Sequence, residues 1–190
     1  GAGIEKPRKP RDDPEKGKRV ADELGVNYIE SNAGLANISD ILVISVPIQY
    51  TSEVIREVAP FMKSGSLMVD VTSIKEEPSK AMAESLPETV EYIPTHPVFG
   101  PRTTRLDNQV IVLTADKKGK WYPKVYNYLA SKNLRIIETT AENHDFMMSI
   151  VQVLTHFSFI SAASAIEKLS VDISETEDYD NEEFAEVVVK

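Results

Sequence analysis

Two uninterrupted apolar, β-branched runs, ILVISVP at 41–47 and SLMVDV at 66–71, limit what this chain can fold into more than any other feature. Neither alternates polar with apolar, so each reads as a strand covered on both faces, the pattern of a parallel sheet. The stretches around them agree. TSEVIREVA (51–59) reads as a capped helix, EEPSKAMAESL (76–86) as a helix with Pro78 in its first turn, and WYPKVYNYLASK (121–132) as a third. Further strands are expected at VEYI (90–93), QVIVLT (109–114) and LRIIET (134–139). Strand, helix and strand at this spacing predict an α/β domain, a mostly parallel sheet with crossover helices on its faces.

Both ends of the chain depart from this alternation. GAGIEKPRKPRDD (1–13) is rich in proline and charge and reads as a tail or a remnant of preparation. A helix is expected from Pro14 to Leu24, with Asp12 or Asp13 as its cap and Gly25 as its stop. The longest helix runs from about Glu142 to Leu169, opened by Thr139 and Glu142 as a capping box, with no Gly or Pro inside it. It is apolar almost all round and is expected to be buried. Asp145, Ser149, Gln152 and His156, offset by 4, 3 and 4, place one polar line on it. Residues 172–190 hold eight acidic residues and one basic one and read as a solvated tail. The expected organisation is therefore a tail at 1–13, an α/β domain at 14–141, a long helix at 142–171 and an acidic tail at 172–190.

Composition narrows the chemistry. A net charge of −9 argues against nucleic acid as the main partner. Without cysteine there are no disulfides, no thiolate catalysis and no cysteine-based metal sites. No uninterrupted apolar run approaches a membrane span and no signal peptide is visible, so no membrane partner and a cytoplasmic location are the expectations. His96, His144 and His156 fit no compact metal-ligand spacing, and no metal site is expected.

Candidate site residues cluster at the expected strand ends. His96 follows VEYI between Pro94 and Pro97, a stiff stretch at the carboxyl end of a strand, where ligands of doubly wound sheets sit. A packed loop histidine satisfied by backbone suits the position equally well. In DVTSIKEEP (70–78), Thr72 and Ser73 could face the same crevice, or one of them could simply cap the next helix. VISVP (43–47) ends at another strand tip, where Pro47 could wall a flat ligand or shape a turn. The polar line through Gln152 and His156 on a buried helix should line a pocket or close a network. His144, at the helix start, reads as structural.

Taken in order, DVTSIK, PTHPVFGP, NQVIVLT and ENHDFMMSIVQVLTHF resemble the nicotinamide-dependent prephenate dehydrogenases of archaeal and enteric type, from about Pro14 to Asp172. That resemblance implies a Rossmann-like domain using NAD or NADP, and oxidative decarboxylation of prephenate to 4-hydroxyphenylpyruvate in tyrosine biosynthesis. It makes His96 the group that draws the proton from the ring hydroxyl while hydride leaves the same carbon. Ser73 would hydrogen-bond the substrate hydroxyl or His96. Gln152 and His156 would line the substrate side, and Ser45, Pro47 and Thr72 the cofactor side. A homodimer is the family's usual assembly.

Two parts of the family pattern have no counterpart in the sequence. The family's first strand and glycine-rich turn should precede Pro14, yet the sole G-x-G is Gly1-Ala2-Gly3. The family's helical dimerisation domain, which supplies an arginine for the substrate carboxylate, should follow the long helix, yet the likeness fades after Asp172 and no arginine follows Arg135. Without that first strand, its neighbours should have unpaired edges. Arg8, Lys9 and Arg11 lie near where the family separates NADP from NAD, and the choice stays open. The alternative expectation is a shortened, non-catalytic binding or assembly module. A further one, disfavoured by HPVFGP, is another β-hydroxyacid or imine reductase.

Overall fold

The computed structural model describes residues 14–100 and 102–169. These form two units, the first ending at Asp145 and the second beginning at Phe146. In chain order the elements are α1 (Pro14–Leu24), α2 (Asn32–Ile38), β1 (Ile41–Ile44), α3 (Thr51–Val58), β2 (Leu67–Asp70), α4 (Glu76–Ser85), β3 (Glu91–Pro97), β4 (Val110–Leu113), α5 (Tyr122–Ser131), β5 (Arg135–Glu138) and α6 (Ala141–Leu169). The expected tails at 1–13 and 172–190, and the cap at Asp12 or Asp13, fall outside the described residues.

The five strands form one sheet in sequence order, β1 to β5. All neighbours are parallel except β3 and β4, which pair antiparallel with His96 opposite Val112. The α/β fold expected from the alternation is the fold observed. Its two faces follow the two-residue period of the strands. Leu42, Ile44 and Met68 point to one face and meet Ile55 and Val58 of α3 and Ala81 and Met82 of α4. Leu67, Ile93, Ile111 and Leu113 point to the other and meet Tyr122 of α5. Each fully buried side chain of this size contributes about 1.5–3 kcal/mol.

Several expectations need correction. The run ILVISVP is not covered on both faces: Leu42 and Ile44 are buried, but Ile41 and Val43 are about half exposed. The strand lies at the sheet edge, beyond the reach of α5, and its outer edge has no strand partner among the described residues. β3 is longer than expected, so His96 lies in a strand and not in a loop. The prolines suggested a break, but Pro94 costs only its own N–H. The Asp70 side chain continues the contact by accepting from the Thr95 N–H (3.3 Å), while Asp70 O accepts from the Thr95 hydroxyl (2.6 Å). Helix α2 has no counterpart among the expected elements: its short, weakly patterned NAGLANI offers only the Ser31 cap, which accepts from the Gly34 N–H. Gly25 does end α1, at a φ of 66° that suits glycine.

The long helix differs most. Its cap is one residue later than expected, since the Thr140 hydroxyl accepts from the Asn143 N–H (3.2 Å) and Glu142 takes no part. Nor is it buried: Phe146, Val153, Leu154, Phe157 and Ile160 are all more than 60% exposed. An all-round apolar surface says that something must cover it, not that the same chain does. Ala141–Ala165 also has the length and mean hydropathy, 1.5, for a membrane crossing, which no uninterrupted run in the sequence had suggested.

Candidate functional site

Buried polar groups gather at the carboxyl ends of β2 and β3. Asp70 is the last residue of β2, fully buried, and its carboxylate gathers four donors. It accepts from the backbone N–H of Thr72 (3.1 Å) and of Thr95, from the Thr72 hydroxyl, and from the Lys75 ammonium. Lys75 is itself completely buried and also donates to Thr95 O (2.6 Å). Burial lowers the Lys75 pKa, and the Asp70 charge and hydrogen bond oppose that change.

His96 sits beside this pair, 7% exposed. Burial is the main force pushing its pKa down, to about 4, with His144 and Lys75 pushing the same way and Asp70 and Asp145 opposing them. The imidazole is therefore neutral at physiological pH. His96 Nδ1 lies 2.9 Å from His144 Nε2, and His144 Nδ1 lies 2.7 Å from Asp145 Oδ1. Asp145 in turn accepts from the backbone N–H groups of Lys75 (2.7 Å) and Glu76 (2.9 Å), where α4 begins.

The neutral burial of His96 has a measurable consequence. Between pH 6.5 and about 4 the unfolded state binds a proton at this ring and the native state does not, so stability rises with pH across that window and is lost on acidification. Each tenfold change in proton affinity between the two states is worth about 1.4 kcal/mol, so on the order of 2–3 kcal/mol should be lost. Urea titrations at pH 7 and pH 4.5 should show this loss in the parent and a flatter response in His96→Gln. Equal slopes in both proteins would contradict it.

Other expected site residues are placed unevenly. Ser73 lies half-buried just past β2 and bonds no described side chain, while Thr72 commits its hydroxyl and N–H to Asp70. Ser45 and Pro47 are exposed at the tip of β1. Because Val71 N–H donates to Ile44 O (3.2 Å), the tips of β1 and β2 lie side by side. Gln152 and His156 are exposed on α6 in the second unit and line no cavity of their own. Of their stripe, Asp145 is drawn away to cap α4. His144 is buried, 3% exposed, contrary to the exposed structural role expected for it. Sequence spacing missed His144, Asp145, Lys75 and Asp70 as a group. The only available signal was that each is a polar residue bordering an apolar run.

A nicotinamide cofactor is what this fold class implies. Ser45 and Pro47 lie at the tip of β1, beside the tip of β2. Among the described residues, however, no two glycines stand at the G-x-G spacing that would cradle a pyrophosphate.

A mostly parallel sheet flanked by helices, with a neutral buried histidine near the carboxyl end of β3, fits a Rossmann-type nucleotide-binding domain. Two family models match the chain, prephenate dehydrogenase, nucleotide-binding domain, over residues 10–138 and prephenate dehydrogenase, dimerization domain, over residues 140–188. The chain belongs to the prephenate dehydrogenase family, as its motifs suggested. The second match reaches past Asp172, where the likeness read from sequence had faded. A probable arogenate/prephenate dehydrogenase of Methanocaldococcus jannaschii is 49% identical over 167 residues, covering 86% of this chain and 37% of that protein. The T-protein of Haemophilus influenzae is 31% identical over 144 residues, covering 74% of this chain and 36% of its own length. This chain therefore spans a little over a third of either relative. The prephenate dehydrogenase of Aquifex aeolicus, solved with hydroxyphenyl propionate and NAD+, shares the fold at a TM-score of 0.64 and 17% identity, over 82% of this chain and 58% of that one.

Proposed function

We propose that the chain carries the proton-accepting part of an NAD- or NADP-dependent dehydrogenase acting on prephenate or arogenate. The observation that carries this reading is His96, held neutral and nearly buried at the end of β3, beside the tips of the cofactor-side strands. A neutral imidazole can take a proton, and the depressed pKa keeps it in that state at working pH. The family match and the Aquifex aeolicus complex with NAD+ support the cofactor class.

The ring hydroxyl gives its proton to His96 as its carbon becomes carbonyl-like. A bound nicotinamide supplies the acceptor for the hydride from that carbon. The electrons of the bond to the departing carboxylate complete the aromatic ring, and carbon dioxide leaves. Ser73, half-buried and uncommitted among the described residues, would orient the hydroxyl. Thr72 supports the site indirectly by tying Asp70 to the loop. Gln152 and His156 would complete the substrate side only where other parts of the assembly meet α6. The dimerization match over residues 140–188 makes a second copy the natural cover for its apolar surface, and a cytoplasmic setting goes with this reading.

Calorimetric titration of the 190-residue chain with NAD and with NADP tests the cofactor half. Binding of either at millimolar strength or tighter is expected. No heat from either cofactor with a demonstrably folded chain would sink the reading and leave the non-catalytic module standing.

A further inference from the structure

We propose that His144 and Asp145 are positioning residues that fix the tautomer of His96 and then accept its proton. The inference rests on the role of His96 proposed above. It begins with Asp145, whose Oδ1 and Oδ2 accept the Lys75 and Glu76 N–H groups and can only accept from His144 Nδ1 as well. His144 Nδ1 must therefore carry the hydrogen, which in the neutral ring leaves Nε2 with its lone pair. That lone pair faces His96 Nδ1 at 2.9 Å, so His96 Nδ1 must donate. By elimination, His96 Nε2 holds a lone pair and is the basic atom of the site.

The ring planes lie at 78° with centroids 5.1 Å apart, a separation that fits two ring nitrogens aimed at each other across 2.9 Å. The charged groups facing His96 are Lys75, Asp70, Asp145 and His144. Positive charge on His96 is opposed by burial and by Lys75. Positive charge on His144 is met directly by the Asp145 carboxylate at 2.7 Å. A proton taken at His96 Nε2 thus displaces the one on Nδ1 to His144 Nε2. The two transfers balance: one proton enters at Nε2 of the first ring, one leaves its Nδ1, and the charge ends in an imidazolium–carboxylate pair. On the second ring the charge has a directly bonded carboxylate, Asp145 at 2.7 Å from Nδ1, which the first ring lacks.

Long-range proton–nitrogen NMR of the histidine rings in the unliganded chain tests this without cofactor or turnover. At neutral pH both His96 and His144 should show a protonated Nδ1 and a bare Nε2. In His144→Gln, whose side-chain oxygen can still accept, the His96 tautomer should persist, whereas His144→Leu should release it into a mixture. Finding Nε2 protonated on His96 in the parent chain overturns the proposal, as does an unaltered tautomer in His144→Leu. These outcomes are independent of cofactor binding, so failure of the relay and failure of the dehydrogenase reading can be told apart.

Discussion

His96→Ala should lower kcat for oxidation of prephenate or arogenate by about 10²–10⁴-fold, the usual contribution of a positioned general base. KM should change little, because the ring touches the substrate at a hydroxyl and its removal leaves the rest of the binding surface intact. The pH profile adds a second signature. The parent needs His96 uncharged, so activity should be retained as pH falls below the ordinary histidine value of 6.5 and should fail only as the ring charges, near pH 4. Steady-state kinetics of the parent and His96→Ala from pH 4 to 8 would show both effects. A loss smaller than about tenfold would mean that water or another group takes the proton, and the histidine would be only a packing element.

The second large effect concerns stability. Asp70→Ala leaves the Lys75 ammonium buried with Thr95 O as its remaining partner, and strips acceptors from Thr72 and Thr95. Breaking a buried ion pair from one side costs about 3–5 kcal/mol. That is a large share of the roughly 5–15 kcal/mol of a typical domain. Losing Asp70 also removes what opposes the depressed pKa of Lys75, so that pKa should fall further. The unfolded state then binds the extra proton over a wider range, and the stability of Asp70→Ala should recover as pH rises. Replacing both partners by apolar residues, as in Asp70→Leu with Lys75→Met, should cost much less than the single change. Urea unfolding of the parent, the single variant and the double variant measures this. A cost below about 1 kcal/mol for Asp70→Ala would show that the pair contributes little.

The alternation of strands and helices was legible because sheet burial writes itself into continuous apolar runs. Five strands and most helices follow from it. Helix α2 was not legible: NAGLANI has no strong periodicity and owes its fold to packing under β1. The site was legible only in part. His96 stood out between prolines, but its partner His144 is 48 residues away, and Asp145 reaches backbone groups about 70 residues away. Spacing on a helix places Asp145 in line with Ser149, Gln152 and His156, yet tertiary contact assigns it to α4. In the same way, the apolar pattern of α6 told how much surface wants covering and was silent on which chain covers it.

The prolines of β3 key this strand to one position. A shift of one residue in one direction would bring the Pro94 nitrogen to the place where the Thr95 N–H meets Asp70, and a shift either way would turn His96 to the opposite side of the sheet. Neighbouring alignments are therefore closed to it during folding. An insertion or deletion between β2 and β3 would have to be absorbed in the loops, since the strand itself cannot slide to accommodate one.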